Sequence, residues 1–202
     1  YDVPCATARQ NGSGRTILST STLSNASLES EVVYTDVHEV ISAMLSGPSC
    51  VLTGRKLVKR LLELARTEET AIIEIIMGGG MNALRKVMTG GLSMDEPIQE
   101  YSMETLQLLL PITDERIISV TFPEETLVET VTAIMMNFSE SLAIQKNVFR
   151  ILKNLSHRNH KYKAAIAKCG VIDICFAMMV KFSSETLNMN GYALLHELSA
   201  YM

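Results

Sequence analysis

His157 and His160 stand three residues apart in "HRNHKYK", with Cys169 and Cys175 downstream, and these are ligand types that zinc takes. Zinc asks for four ligands converging on a tetrahedron. Cys169 closes a short helical segment and Cys175 sits beside Ile174 in an apolar column, so both read as core thiols and the histidines as residues of a polar turn. The three glycines of "IIMGGGMNALRKVM" raise a second chemistry, because consecutive amides at a helix start can hold an anion. A phosphate loop also needs a preceding strand and a Gly-Lys-Ser/Thr ending, and neither is present. The carboxylate pairs Glu68/Glu69 and Glu124/Glu125 are of the type used for acid–base work, yet they fall where helices start and negative charge complements the helix dipole. None of the four histidines lies in a pattern that joins a nucleophile, a base and an orienting group. The residues therefore read as those of a non-enzyme with no cofactor and no metal.

A net charge of −4 argues against a general nucleic-acid surface, which carries a basic excess to displace counterions. The basic turn from His157 to Lys163 holds one aromatic, Tyr162, and such a mixture can grip a single strand. The preferred reading is a solvated loop, with an acidic protein segment ranked before RNA as its partner. No apolar run reaches the roughly 20 residues that span a bilayer, and no secretory leader opens the chain. Cys5, Cys50, Cys169 and Cys175 form no CxxC pair and read as free thiols in a reducing compartment. The expectation is a soluble cytoplasmic protein, with the nucleus as the other location.

The elements that position these residues are helical. With 47% apolar residues, twelve Met, five Pro and no Trp, the composition suits packed helices with methionine as adaptable filler. Residues 1–35 are rich in Ser, Thr, Asn and Gly, lack periodicity and read as a flexible arm or linker; "YDVP" at its start has the Tyr-x-x-Pro form of some phosphotyrosine docking sites. From residue 36 to 202 apolar residues recur at helical spacing. Self-similarity is strong there. Leu61, Leu106, Leu152 and Leu195 share one column, and Leu64, Leu109, Leu155 and Leu198 another, at steps of 45, 46 and 43 residues. A second helix series places Met44, Met88, Met135 and Met178 in register, each four residues after Val40, Leu84, Val131 or Ile174. Two series at one period in the mid-forties indicate a helical-repeat stack. The chain opens on Tyr1 and closes within the apolar pattern "YALLHELSAYM", without the polar outer unit a solenoid carries, so an excerpt of a longer protein is expected.

At these residues the chain resembles the armadillo-repeat family. "IQKNVFRILKNLSHRNHKYKAAIAKCGVIDICFAMM" has the form of a repeat: a long helix, a polar turn, a short helix ending in Gly and an apolar helix; "KLVKRLLELARTEETAIIEIIMGGGMNALRKVM" follows the same scheme. The resemblance covers residues 36–202 and implies an all-α, right-handed α-solenoid of about four repeats, the terminal ones partial. In this register Gly80 aligns with Gly170, and Pro123 of "VTFPEETLV" serves the same joint.

The resemblance implies that the long helices line a concave groove in which extended partners lie. The outward stripe then runs Arg55, Lys59 and Glu63; Glu100, Glu104 and Leu108; Lys146, Arg150 and Asn154; Met189, Ala193 and Glu197. In import receptors and catenin-like members of the family an asparagine column clamps the peptide backbone, and here that column reads Glu63, Leu108, Asn154 and Glu197. The import receptors' tryptophan column reads Lys59, Glu104, Arg150 and Ala193 and matches nowhere, which argues against an import receptor. The alternating basic, acidic and basic patches imply a protein or extended peptide of mixed charge, or a groove closed by a neighbouring subunit. The function expected is a non-catalytic interaction scaffold. The alternative is a structural helical-repeat subunit of a larger enzyme or RNA-binding complex.

Overall fold

Apolar side chains at three- and four-residue spacing fold the chain into consecutive short helices, and the computed structural model describes residues 36–67, 69–122, 124–158 and 160–199. The helices are α1 (Val37–Ser46), α2 (Val51–Thr67), α3 (Glu69–Met77), α4 (Gly80–Thr89), α5 (Glu96–Leu109), α6 (Glu115–Thr121), α7 (Glu124–Asn137), α8 (Leu142–Arg158), α9 (His160–Lys168), α10 (Val171–Phe182) and α11 (Glu185–Ser199). Among the described residues there is no strand. The arm expected over residues 1–35, its Tyr-x-x-Pro motif and Pro123 lie outside the described residues.

Three units of three helices follow one another, α3–α4–α5, α6–α7–α8 and α9–α10–α11, preceded by α1–α2 as an incomplete unit. The last helix of each unit stacks on that of the next, so that α2, α5, α8 and α11 form one continuous ladder. The middle helices α1, α4, α7 and α10 back the ladder, each packing on the helix that follows it in its own unit. The result is an α-solenoid whose core lies between the two layers.

Six of the eight column leucines are buried: Leu61, Leu106, Leu109, Leu152, Leu155 and Leu198. The exceptions are at the ends. Leu64 on the first ladder helix and Leu195 on the last are half-buried against the core, since each of these helices has a ladder neighbour on one side only among the described residues. In the second series Val40, Leu84 and Val131 are buried with Met44, Met88 and Met135, but the fourth member is corrected by one residue. Cys175 and Met179 occupy the column, while Ile174 and Met178 are half-buried. Consecutive methionines made the two registers indistinguishable by pattern.

The glycine joint is also corrected by one residue. Gly79, at φ 85°, and Gly170, at φ 68°, are the matching left-handed residues; each closes one helix and precedes the next. A Cβ would meet nothing within 4 Å at either position, so backbone conformation rather than space favours glycine there. Gly80 serves packing instead, since a Cβ on it would stand 2.4 Å from Ile75 Cγ2. The start of α5 is fixed differently: Asp95 Oδ1 accepts from the Ile98 amide at 3.1 Å, with Pro97 in the first turn.

Candidate functional site

The ladder helices each turn one stripe inward and one outward. On α8 the buried side is built from Ile144, Val148, Ile151, Leu152 and Leu155, so helical spacing sets Lys146, Arg150 and Asn154 on the other side. Arg150 is exposed, and Lys146 and Asn154 are half-buried. On α2, Arg55, Lys59 and Glu63 are exposed, and on α5 Glu100, Glu104 and Leu108 are half-buried. On α11 Met189 is exposed, with Ala193 and Glu197 half-buried. None of the twelve positions is in the core.

Several of these charges are already neutralised. Arg55 donates from Nη2 to Asp95 Oδ2 at 2.8 Å and from Nε to Oδ1 at 3.1 Å, linking α2 to the cap of α5. Arg60 lies 3.4 Å from Glu63 one turn away, and Arg66 pairs with Glu104 across the same two helices. Glu197 accepts from Lys163 at 3.0 Å and lies 3.3 Å from His157 Nδ1. The Lys163 hydrogen bond holds the Glu197 carboxyl below its ordinary range, against the opposing effect of burial and with help from the charges of His157 and Lys163. Asp95 is likewise lowered: burial would raise it, but the hydrogen bonds from Arg55 and the Ile98 amide prevail.

Lys59, Glu96, Glu100, Lys146 and Arg150 have no ion-pair partner among the described residues. Glu100 is raised above its ordinary carboxyl value, chiefly by burial and then by the like charges of Glu104 and Glu96. The face can therefore supply unneutralised charge of both signs at neighbouring helices. It can also supply the Asn154 carboxamide, which both donates to and accepts from a peptide backbone.

The segment "HRNHKYK" is corrected. Rather than forming a turn, His157 and Arg158 finish α8 and His160 begins α9. Tyr162 is fully buried, so its ring is no stacking platform. Arg158 donates to the carbonyl oxygens of Leu110 and of Thr113, the latter at 3.2 Å, and lies 3.5 Å from Glu115, bracing the turn between α5 and α6. Cys175 is buried in α10 with its thiol pushed up to about 12 by burial, as fits a core thiol. Among the described residues no three His, Cys, Asp or Glu side chains converge on a metal-sized site. No helix among them is long and apolar enough to cross a membrane.

Asp95, Glu96 and Arg66 are site residues that the repeat columns did not mark. "SMDEPI" carries the signal for Asp95, an acidic cap followed by Glu-Pro at a helix start. Arg66 had none, because its pairing with Glu104 depends on how two helices cross.

No protein-family model and no curated protein matches the chain. Solved structures resemble it. An engineered protein from the Northeast Structural Genomics Consortium superposes with a TM-score of 0.60 at 20% identity, over 82% of this chain and 63% of its own. This chain thus spans less than two thirds of that protein's length. A second engineered protein from the same consortium gives a TM-score of 0.52 at 14% identity over 81% of each chain. A designed armadillo repeat protein aligns at a TM-score of 0.44 and 14% identity, over 82% of this chain and 83% of its own. At these identities the likeness to the two engineered proteins is one of fold alone, and that fold is an all-helical repeat stack.

Proposed function

We propose that the protein is a non-catalytic scaffold that binds an extended protein segment along the outward face of α2, α5, α8 and α11. One observation carries this reading: Lys59, Glu100, Lys146 and Arg150, on three successive ladder helices, are left without ion-pair partners among the described residues while their neighbours Arg55, Glu63 and Glu104 are paired. Charges held apart on a rigid surface favour a complementary partner and reject a like-charged one. Residues 1–35 are proposed as an N-terminal arm or linker beside this repeat domain.

Capture of the natural partner tests the reading. Lys146→Glu combined with Arg150→Glu should lose the protein that the unaltered chain retains, and raised salt should shrink the difference by screening. His157→Ala with Lys161→Ala should retain it. Loss in the second variant and retention in the first would move the contact to the junction of α8 and α9.

The alternative, a packed structural subunit of a larger assembly, is favoured by a different observation. Phe176, Val180 and Tyr192 on the last two helices are all more than half exposed, with Val180 at 79%. If neither variant alters capture, that end becomes the contact, and the chain is a structural subunit.

A further inference from the structure

The unneutralised charge of the ladder face alternates in sign: Lys59 on α2, Glu96 and Glu100 on α5, Lys146 and Arg150 on α8, none with an ion-pair partner among the described residues. Glu100 is half-buried beside the like charges of Glu104 and Glu96, and no cation pairs with it among the described residues. A basic group arriving there would relieve that repulsion. Packed helices stand about 8–10 Å apart, and an extended chain advances about 3.3 Å per residue, so three residues cover one step of the ladder.

We propose that the segment bound by this face has an acidic–basic–acidic order at three-residue steps, of the form Asp/Glu-x-x-Lys/Arg-x-x-Asp/Glu. The inference rests on the reading of this face as a peptide site. The basic residue lies over Glu100, one acidic residue over Lys59 and the other over Lys146 and Arg150. The two cations of α8, with the Asn154 carboxamide a turn further on, make this the more strongly held end. A nucleic-acid strand on the same path would set its phosphates against Glu96, Glu100 and Glu104, and so is disfavoured.

Four dye-labelled probes test the order by fluorescence anisotropy: Glu-x-x-Lys-x-x-Glu, its inverse Lys-x-x-Glu-x-x-Lys, a shuffled form of the first with its three charges adjacent, and a uridine oligonucleotide. The first should bind about tenfold tighter than the other two peptides, as a few partly exposed charge pairs allow. Glu100→Lys should transfer the preference to a fifth probe, Glu-x-x-Glu-x-x-Glu. Glu100→Gln, which keeps the shape, should weaken the first peptide and serves if the lysine impairs folding. Equal or tighter binding of the inverse or shuffled peptide, or binding of none, overturns the charge order. Whether the peptide site itself survives is then read from Lys146→Glu with Arg150→Glu: remaining binding that this variant abolishes keeps the site, and binding it leaves untouched removes it. Tighter binding of the oligonucleotide than of the first peptide overturns both.

Discussion

Gln145 reaches back from the first turn of α8 to place Nε2 2.8 Å from the carbonyl oxygen of Met135, near the end of α7, and 3.1 Å from that of Phe138. Gln99 does the same one repeat earlier, donating to the carbonyls of Met88 and Ser93 at 3.2 and 3.1 Å. Each buried amide thus closes one carbonyl near the end of a helix and ties it to a second in the loop that follows. Gln145→Ala should cost about 1–3 kcal/mol in urea unfolding, because the Met135 carbonyl stays buried without its donor. A loss near zero would mean that solvent replaces the amide there.

The columns make graded predictions about packing. Leu152→Ala removes a fully buried side chain between ladder helices and should cost about 2–5 kcal/mol. Leu195→Ala, at the equivalent but half-buried position, should cost distinctly less. Equal shifts in unfolding midpoint would contradict the difference in burial between Leu152 and Leu195.

Two glycines separate conformation from space. Gly170→Ala forces a left-handed backbone on alanine and should cost about 1–2 kcal/mol, with no clash to relieve. Gly80→Ala should cost more, since its methyl would also stand 2.7 Å from the Ile75 carbonyl oxygen. Thermal unfolding of the pair gives the order, and the reverse order would refute this division of roles.

Acid should weaken the link between α2 and α5. The Asp95 carboxyl is lowered in the fold, so its contribution is complete above the unfolded carboxyl value and is lost as pH falls through the lower folded one. Asp95→Asn, which still caps α5 but cannot pair with Arg55, should therefore show a flatter decline of melting temperature below about pH 4. An unchanged decline would assign acid sensitivity to other carboxylates.

Thiol labelling should be sequential. Cys50 and Cys169 are half-buried and should react with a maleimide at neutral pH in the folded protein. Cys175, buried and with its thiol pushed up to about 12, should react only after denaturant is added. Mass spectrometry of the labelled peptides distinguishes the sites, and early labelling of Cys175 would place α10 outside the core.

The repeat, the ladder and its outward stripe were legible because helical periodicity fixes which side of a helix is buried, and a recurring leucine fixes where repeats meet. Where two adjacent residues are equally apolar, as at Met178 and Met179, or both glycine, as at Gly79 and Gly80, the pattern allowed a one-residue slip. The reading of "HRNHKYK" as a turn failed for another reason. Its composition is that of a loop, but Tyr162 is drawn into the core and Arg158 onto the α5–α6 turn, and these contacts exist only once distant repeats are stacked. The charge stripe was readable residue by residue; which charges cancel was not, since Arg66 reaches Glu104 from 38 positions away.

The bonds that close helix ends fall into two kinds. Gln99 and Gln145 act within a repeat through short, buried arms, whereas Lys86 reaches the Leu45 carbonyl and Lys181 the Ser139 carbonyl from the next repeat through long, exposed ones. Mechanically, the repeats are coupled twice over: the stacked ladder helices meet through buried leucines, and the lysine bonds span the same joints on the outside. Bending at one joint must therefore disturb packed side chains as well as surface bonds. The spacing of Lys59, Glu100 and Arg150 is held as the teeth of a comb are held by its spine.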